Sequence, residues 1–320
     1  MKKILLRTLI SAAFLGLLFW LIRGDIPQIV QTLKGIHRGL LALSVAISLF
    51  SILILARRLQ LIFGAEGIPI TLAETSNLTY VGYFFNNFLP TSVGGDIVKV
   101  MCASRITRHP VKSVTTILMD RIFGMFTFIM IPSASLLFFL KEIKNPLVPT
   151  ITYSLLAVSI FCFVLLFNRK AARKFKFIEH FLNWLHIGEK VRKIYDGLHN
   201  FKNHKGVVVQ AMALSLTGQS INIFVLYVMA RALGVHVSVM YFYLLVPVVQ
   251  LISMLPSLNG LGIREGAYVY FLTPVVGREI ATALGILWLG MLFLYSLIGG
   301  IIYLVRHDYH VEFKKAAVAS

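Results

Sequence analysis

Two interrupted hydrophobic stretches carry the residues whose types and spacing could do chemistry. The first combines two amides, three helix-breaking residues and two charges, namely Asn86, Asn87, Pro90, Gly94, Gly95, Asp96 and Lys99. The second has the same character, with Pro256, Asn259, Gly260, Gly262, Arg264 and Glu265. Both breaks follow the pattern L-P-[T/S]-x-x-G, and two chance Pro/Gly kinks are the alternative reading. In a membrane, irregular backbone is tolerated only beside protein or a watery cavity, so the pair of breaks is typical of a transport site.

The charges near these breaks favour an anion as the ligand. Lys99 and Arg264 each follow a break, where backbone N–H groups and the helix dipole attract negative charge, so a lipid phosphate is the expected guest. A charge inside the membrane costs at least about 2.5 kcal/mol on insertion scales and usually faces a cavity. Asp120 and Arg121 add a charged pair in the next apolar segment, where a structural ion pair is the competing reading. The three asparagines either complete the headgroup site or satisfy the broken backbone, and both roles stay open.

Composition decides the class of protein. The chain is 58% hydrophobic and only 14% charged, with a mean hydropathy of +0.81, which excludes an ordinary soluble domain and predicts an all-α integral membrane protein. The net charge of +18 lies mostly in loops, where it sets orientation and meets anionic lipid, so nucleic acid is not an expected partner. Two cysteines indicate neither a disulfide framework nor a metal site. We expect no cofactor and no metal, since the chain has no nucleotide-binding or zinc motif.

The hydrophobic pattern predicts six full spans and two broken pairs. The spans are expected at 8–22, 39–55, 114–140, 147–167, 206–230 and 281–305. The first could instead be a signal peptide, but it lacks a cleavage site. The broken segments, 71–104 and 240–278, would each be a re-entrant helix pair; eight transmembrane helices are the alternative. An amphipathic stretch at 26–38 is expected on the membrane surface.

Basic residues orient these segments. Of the 31 Lys and Arg residues, 21 fall on the side of Met1 and Ser320, seven on the other side and three inside membrane segments, which predicts that both termini are cytoplasmic. Each broken segment then returns to the side it left. Residues 1–320 would form one membrane domain, in which 1–140 and 147–305 are the halves of an inverted repeat. The basic amphipathic segment 169–205 is expected on the anionic cytoplasmic leaflet.

The motifs at both breaks, with the Asp120-Arg121 pair, resemble the lysylphosphatidylglycerol synthase transmembrane-region family over nearly the whole chain. The resemblance implies a flippase-like membrane domain. Synthases of that family carry a further soluble catalytic domain, whereas this chain ends at Ser320, so synthase activity is not expected.

Three functions remain after these arguments. A flippase or scramblase would move a phospholipid or a polyprenyl-phosphate lipid across the cytoplasmic membrane, and this is the favoured interpretation. An accessory subunit of a lipid or cell-envelope glycan pathway would need an apolar interaction face. A membrane enzyme acting on lipid phosphates would need acid and base groups at one mouth, and we do not expect an enzyme. The identity of the lipid and the oligomeric state stay open.

Overall fold

The computed structural model describes residues 23–88, 94–139, 147–167, 195–253 and 260–309, together with residues 16 and 19. Every regular element in these ranges is helical, which confirms the all-α class. Because a bilayer offers no water to unpaired backbone groups, a chain of this composition must satisfy its hydrogen bonds within helices.

Five long helices have the length and composition to cross a membrane. They are α2 (Arg38–Ala65), α5 (Pro110–Phe139), α6 (Leu147–Phe167), α7 (Lys205–Ala232) and α10 (Arg278–Val305). A short amphipathic helix, α1 (Ile26–Lys34), precedes them and packs on α10. The span predicted at 8–22 and most of the segment 169–205 lie outside the described residues.

Four shorter helices occupy the two segments predicted to be broken. They are α3 (Leu72–Phe88), α4 (Gly94–Thr107), α8 (Val239–Ser253) and α9 (Ile263–Val276), with 14 to 17 residues each. At 1.5 Å per residue such helices extend roughly 21–26 Å, which is less than the hydrocarbon thickness of about 30 Å. Whether each pair re-enters or crosses the membrane stays a prediction. Pro90, Pro256 and Asn259 lie outside the described residues.

The helices pack in pairs that link the two predicted halves. Helix α2 packs along α7, α3 packs against α10, and α8 packs against α5. In an inverted repeat α3 would correspond to α8 and α10 to α5, so the α3–α10 contact would correspond to the α8–α5 contact. The inverted repeat and the number of spans nevertheless stay predictions.

Small residues allow the closest of these contacts. A Cβ atom at Gly299 on α10 would collide with the carbonyl of Tyr80 on α3, and one at Gly95 would collide with the carbonyl of Gly82. Membrane helices have little hydrophobic drive to associate in lipid, so close backbone approach contributes much of their packing energy. These glycines therefore fix the positions of α3, α4 and α10 around the interior.

Candidate functional site

A cavity of about 290 Å³ lies among eight helices, α2 to α5 and α7 to α10. Its charged and amide lining residues are Arg58, Asn86, Asp96, Lys99, Asp120, Arg121, Gln219, Asn222, Gln250 and Arg264. Six of these residues were predicted as site residues from the sequence, so the structure brings both broken segments to one cavity. A second cavity, about 390 Å³, contains none of the predicted site residues.

The cavity lies at the middle of the long helices. Gly124 lines it from the middle of α5, Gln219 from the middle of α7 and Leu292 from the middle of α10. A helix that spans a bilayer places its central residues near the midplane. The cavity therefore lies at the level that a bilayer midplane would occupy around these three helices.

Asp120 is the anionic centre of one buried cluster. Its Oδ1 accepts a hydrogen bond from Nε of Arg58 at 2.7 Å, and its Oδ2 lies 3.7 Å from Nζ of Lys99. Arg58 also donates from Nη1 to Oγ of Ser215 at 2.9 Å. All three charged residues are less than 9% exposed. One carboxylate is thus shared by two cations from different helices, which leaves the cluster with a positive surplus.

Arg58 corrects the sequence interpretation. The span predicted at 39–55 ends before Arg58, whereas α2 continues to Ala65. Arg57 is exposed, whereas Arg58 turns into the bundle. A signal was present, because the buried residues Ser44, Ser48, Ser51 and Arg58 recur at helical spacing along one face of α2.

The adjacent residues Asp120 and Arg121 serve different partners. Arg121 forms an ion pair with Asp96 at the start of α4, while Asp120 binds Arg58. Successive residues on a helix point about 100° apart, so neighbours in sequence reach different helices. These contacts join α4 and α2 to α5 at the cavity.

The second break presents Arg264 to the cavity with its carboxylate partner beside it. The Nε and Nη2 atoms of Arg264 donate to Oε1 of Glu265 at 3.1 and 2.7 Å. Oε2 of Glu265 accepts the backbone N–H of Gly262 at 2.7 Å, so this carboxylate also caps α9. Gly260 and Gly262 have φ values of +76° and +80°, which glycine adopts without the strain of a side chain.

Two of the three asparagines predicted as site residues, Asn86 and Asn87, lie in the described part of the chain, and both bond to backbone. Oδ1 of Asn86 accepts the N–H of Gly95 at 2.8 Å, where α4 begins beside the buried Gly94. Nδ2 of Asn87 donates to the carbonyl of Leu292 at 3.2 Å, which ties α3 to α10. The backbone N–H groups of Gly95 and Gly262, where α4 and α9 begin, thus already have side-chain acceptors. An anion in this cavity would therefore bind the cationic side chains rather than these N–H groups.

Positive charge exceeds negative charge around the cavity. Four lining residues are cationic, Arg58, Lys99, Arg121 and Arg264, whereas two carboxylates line it, Asp96 and Asp120. Positive charges still outnumber negative charges when Glu265, the partner of Arg264, is counted. A surplus of cations inside low-dielectric walls attracts an anion. Among the described residues, no group of three His, Cys, Asp or Glu side chains is arranged to hold a metal ion.

Fold and cavity together define a multi-pass, all-α membrane protein in which charged residues from interrupted helices meet inside the bundle. The chain belongs to the family described as lysylphosphatidylglycerol synthase TM region, whose family model matches residues 4–300. This membership relates the protein to membrane-lipid handling. No curated protein and no solved structure matches the chain.

Proposed function

We propose that this protein translocates a lipid with an anionic phosphate headgroup across the cytoplasmic membrane, as a flippase or a scramblase. The observation that carries the proposal is the cavity at the middle of α5, α7 and α10, with its four cations and two carboxylates. A lipid headgroup that crosses the membrane needs polar groups to bind it at this depth, while the acyl chains of the lipid stay in the hydrocarbon.

The ion pairs indicate how a phosphate could be accepted without leaving buried charges alone. Asp96 forms an ion pair with Arg121, and Asp120 pairs with Arg58 and Lys99. A phosphate entering beside Lys99 would meet a cation whose Nζ lies 3.7 Å from Oδ2 of Asp120, beyond hydrogen-bond distance. Such a cation can bind a second anion without breaking a short hydrogen bond.

The family supports this proposal, because it is named for the membrane region of a synthase whose product is a phospholipid. We take the protein as a transporter rather than an enzyme, with both termini in the cytoplasm and residues 169–205 on the anionic leaflet. The positive-inside bias of the loops supports that orientation.

Reconstitution tests the proposal. Purified protein is placed in liposomes that contain an acyl-labelled anionic, zwitterionic or polyprenyl-phosphate lipid, and leaflet exchange is followed by quenching from outside. Protein-dependent exchange of an anionic lipid is the expected result, and Arg264→Ala should slow it while the exposed-site control Arg57→Ala should not. If no lipid is exchanged faster in liposomes with the protein than in liposomes without it, the proposal is refuted.

A further inference from the structure

One buried hydrogen-bond donor beside the cavity has no acceptor. Trp288 on α10 lines the cavity and is only 4% exposed. In the part of the chain that the structure describes, its indole Nε1–H has no hydrogen-bond partner. Buried polar atoms nearly always have a partner, and a donor left without one destabilises the folded protein. The indole of Trp288 therefore points to an acceptor that the folded chain does not supply.

This donor lies on the part of α10 that contacts the start of α9. Gly285 precedes Trp288 by one turn, and a Cβ atom at Gly285 would lie 3.8 Å from Cα of Glu265. Arg264, the neighbour of Glu265, lines the same cavity as Trp288. Two helices in contact thus bring a neutral donor and a cation to one cavity.

The chemistry of the indole limits what can satisfy it. The Nε1–H group only donates, so its partner must be an acceptor such as a carbonyl, a water or a phosphate oxygen. A hydrogen bond is about twice as strong when the acceptor is ionised. The surplus of positive charge around this cavity also favours an anionic acceptor over a neutral one. A phosphate oxygen satisfies both conditions.

We propose that Nε1 of Trp288 donates a hydrogen bond to a phosphate oxygen of the bound lipid. This inference rests on the proposed function and adds a neutral residue to the cations already assigned to the phosphate. The hydrogen bond would fix the phosphate relative to α10, while Arg264 attracts it from α9. The contact does not depend on the group attached to the phosphate, because every glycerophospholipid carries a phosphodiester.

Magnetic resonance of the indole groups tests the contact on the full-length protein in a phosphate-free detergent. The chain has three tryptophans, Trp20, Trp184 and Trp288. Isotopic labelling of tryptophan gives each indole N–H a signal, and Trp20→Phe with Trp184→Phe assigns that of Trp288 by elimination. Phosphatidylglycerol is expected to move this signal downfield and to slow its exchange with deuterium by about tenfold or more, as for a hydrogen bond to a charged group.

Two further ligands distinguish the sources of an acceptor. Diacylglycerol has the ester carbonyls and acyl chains of a phospholipid without its phosphate, and should leave the Trp288 signal unchanged. The same shift with diacylglycerol would assign the indole to an ester carbonyl and overturn the inference. Inorganic phosphate tests the free anion. A shift with inorganic phosphate and none with phosphatidylglycerol would overturn the assignment to a lipid.

A pair of variants measures the contribution of the donor. Trp288→Phe keeps an aromatic ring and removes the N–H, and should weaken binding of phosphatidylglycerol by about tenfold or more. Tyr268→Phe on α9 is the matched control, since Tyr268 is also a fully buried aromatic residue whose hydroxyl has no partner among the described residues, but it does not line the cavity. This control should bind the lipid as the wild type does. Native mass spectrometry measures binding, and melting temperatures show that both variants are folded.

Leaflet exchange separates this inference from the proposed function. Exchange by the wild type with no change in the Trp288 signal, or with wild-type binding by a folded Trp288→Phe protein, removes the inference and leaves translocation standing. A lipid-dependent shift of the Trp288 signal without any leaflet exchange removes translocation and keeps the hydrogen bond. If phosphatidylglycerol neither binds nor exchanges, both fail.

Discussion

Arg58 on α2 donates from Nε to Oδ1 of Asp120 on α5 at 2.7 Å, across 62 positions of the chain. The same carboxylate has Lys99 at 3.7 Å from its other oxygen. The two cations therefore differ in kind, because Arg58 makes a hydrogen bond and Lys99 makes a looser ion pair.

This difference predicts different consequences for stability. Arg58→Met breaks a buried, hydrogen-bonded pair and should lower the free energy of unfolding by about 3–5 kcal/mol. Lys99→Met leaves Asp120 hydrogen-bonded to Arg58 and removes a buried charge, so it should lower the free energy of unfolding by clearly less than Arg58→Met does. Thermal denaturation in one detergent compares the two variants.

Exposed Arg57→Met is the control for these measurements. Leaflet exchange should fall in Lys99→Met although the protein remains folded, because this lysine is assigned to the phosphate. Equal stability losses in Arg58→Met and Lys99→Met would contradict the distinction between the two cations.

Arg264 provides a second prediction. Its Nε and Nη2 atoms both reach Glu265, and a lysine at this position keeps the charge but loses the planar set of donors. Arg264→Lys should slow exchange of an anionic lipid by about tenfold or more, since hydrogen bonds to charged groups contribute about 1.5–3 kcal/mol. Exchange rate and melting temperature are measured together. Wild-type exchange by a folded Arg264→Lys protein would show that recognition needs only the charge.

The contact between α3 and α10 gives a prediction about packing. Gly299→Ala places a methyl group against the carbonyl of Tyr80 and should destabilise the protein by about 1–3 kcal/mol. Gly290→Ala, on the same helix, meets no atom within 4 Å and should be neutral or stabilising by about 0.5–1 kcal/mol. Thermal denaturation of both variants checks the pair, and equal melting temperatures would place the α3–α10 contact elsewhere.

Much of the helical framework could be predicted from hydropathy and helix breakers. The apolar stretches became α2, α5, α6, α7 and α10, and both interruptions fall where proline and glycine cluster. The charges could also be identified, because a charge in an apolar segment needs a cavity or a partner. The partners of these charges could not be predicted, because the order of residues along the chain does not say which helices pack together.

Arg58 and Gln219 show why the remainder of the site escaped the sequence. Arg57 and Arg58 are adjacent near the end of an apolar stretch. Which of the two is buried depends on how α2 is rotated about its axis, and the sequence does not give that rotation. Gln219 is one of three neutral amides in α7, with Gln210 and Asn222, and no charged residue lies near it in the sequence. Only the tertiary structure shows that Gln219 lines the cavity.

The orientation of the chain stays a prediction that labelling can check. In a protein without native cysteines, Lys144→Cys should react with a membrane-impermeant reagent added outside, and Lys193→Cys should react only after the membrane is opened. The basis is the excess of Lys and Arg on the side of Met1 and Ser320. The opposite labelling pattern would reverse the topology.

The most direct test of translocation through the cavity is to fill it. Gly124 lines the cavity at the middle of α5, and a Cβ atom there would lie 3.7 Å from Nη1 of Arg58 with no closer neighbour. A Gly124→Leu side chain would extend into the space a headgroup must cross. Gly290→Leu makes the same change at an exposed position of α10.

The measurement is leaflet exchange of an acyl-labelled anionic phospholipid in liposomes that hold equal amounts of folded wild-type, Gly124→Leu or Gly290→Leu protein. We predict that Gly124→Leu slows exchange by about tenfold or more, because the headgroup would lose its binding site in the cavity. Gly290→Leu should exchange lipid at the wild-type rate. Exchange at the wild-type rate by a folded Gly124→Leu protein would contradict passage through this cavity.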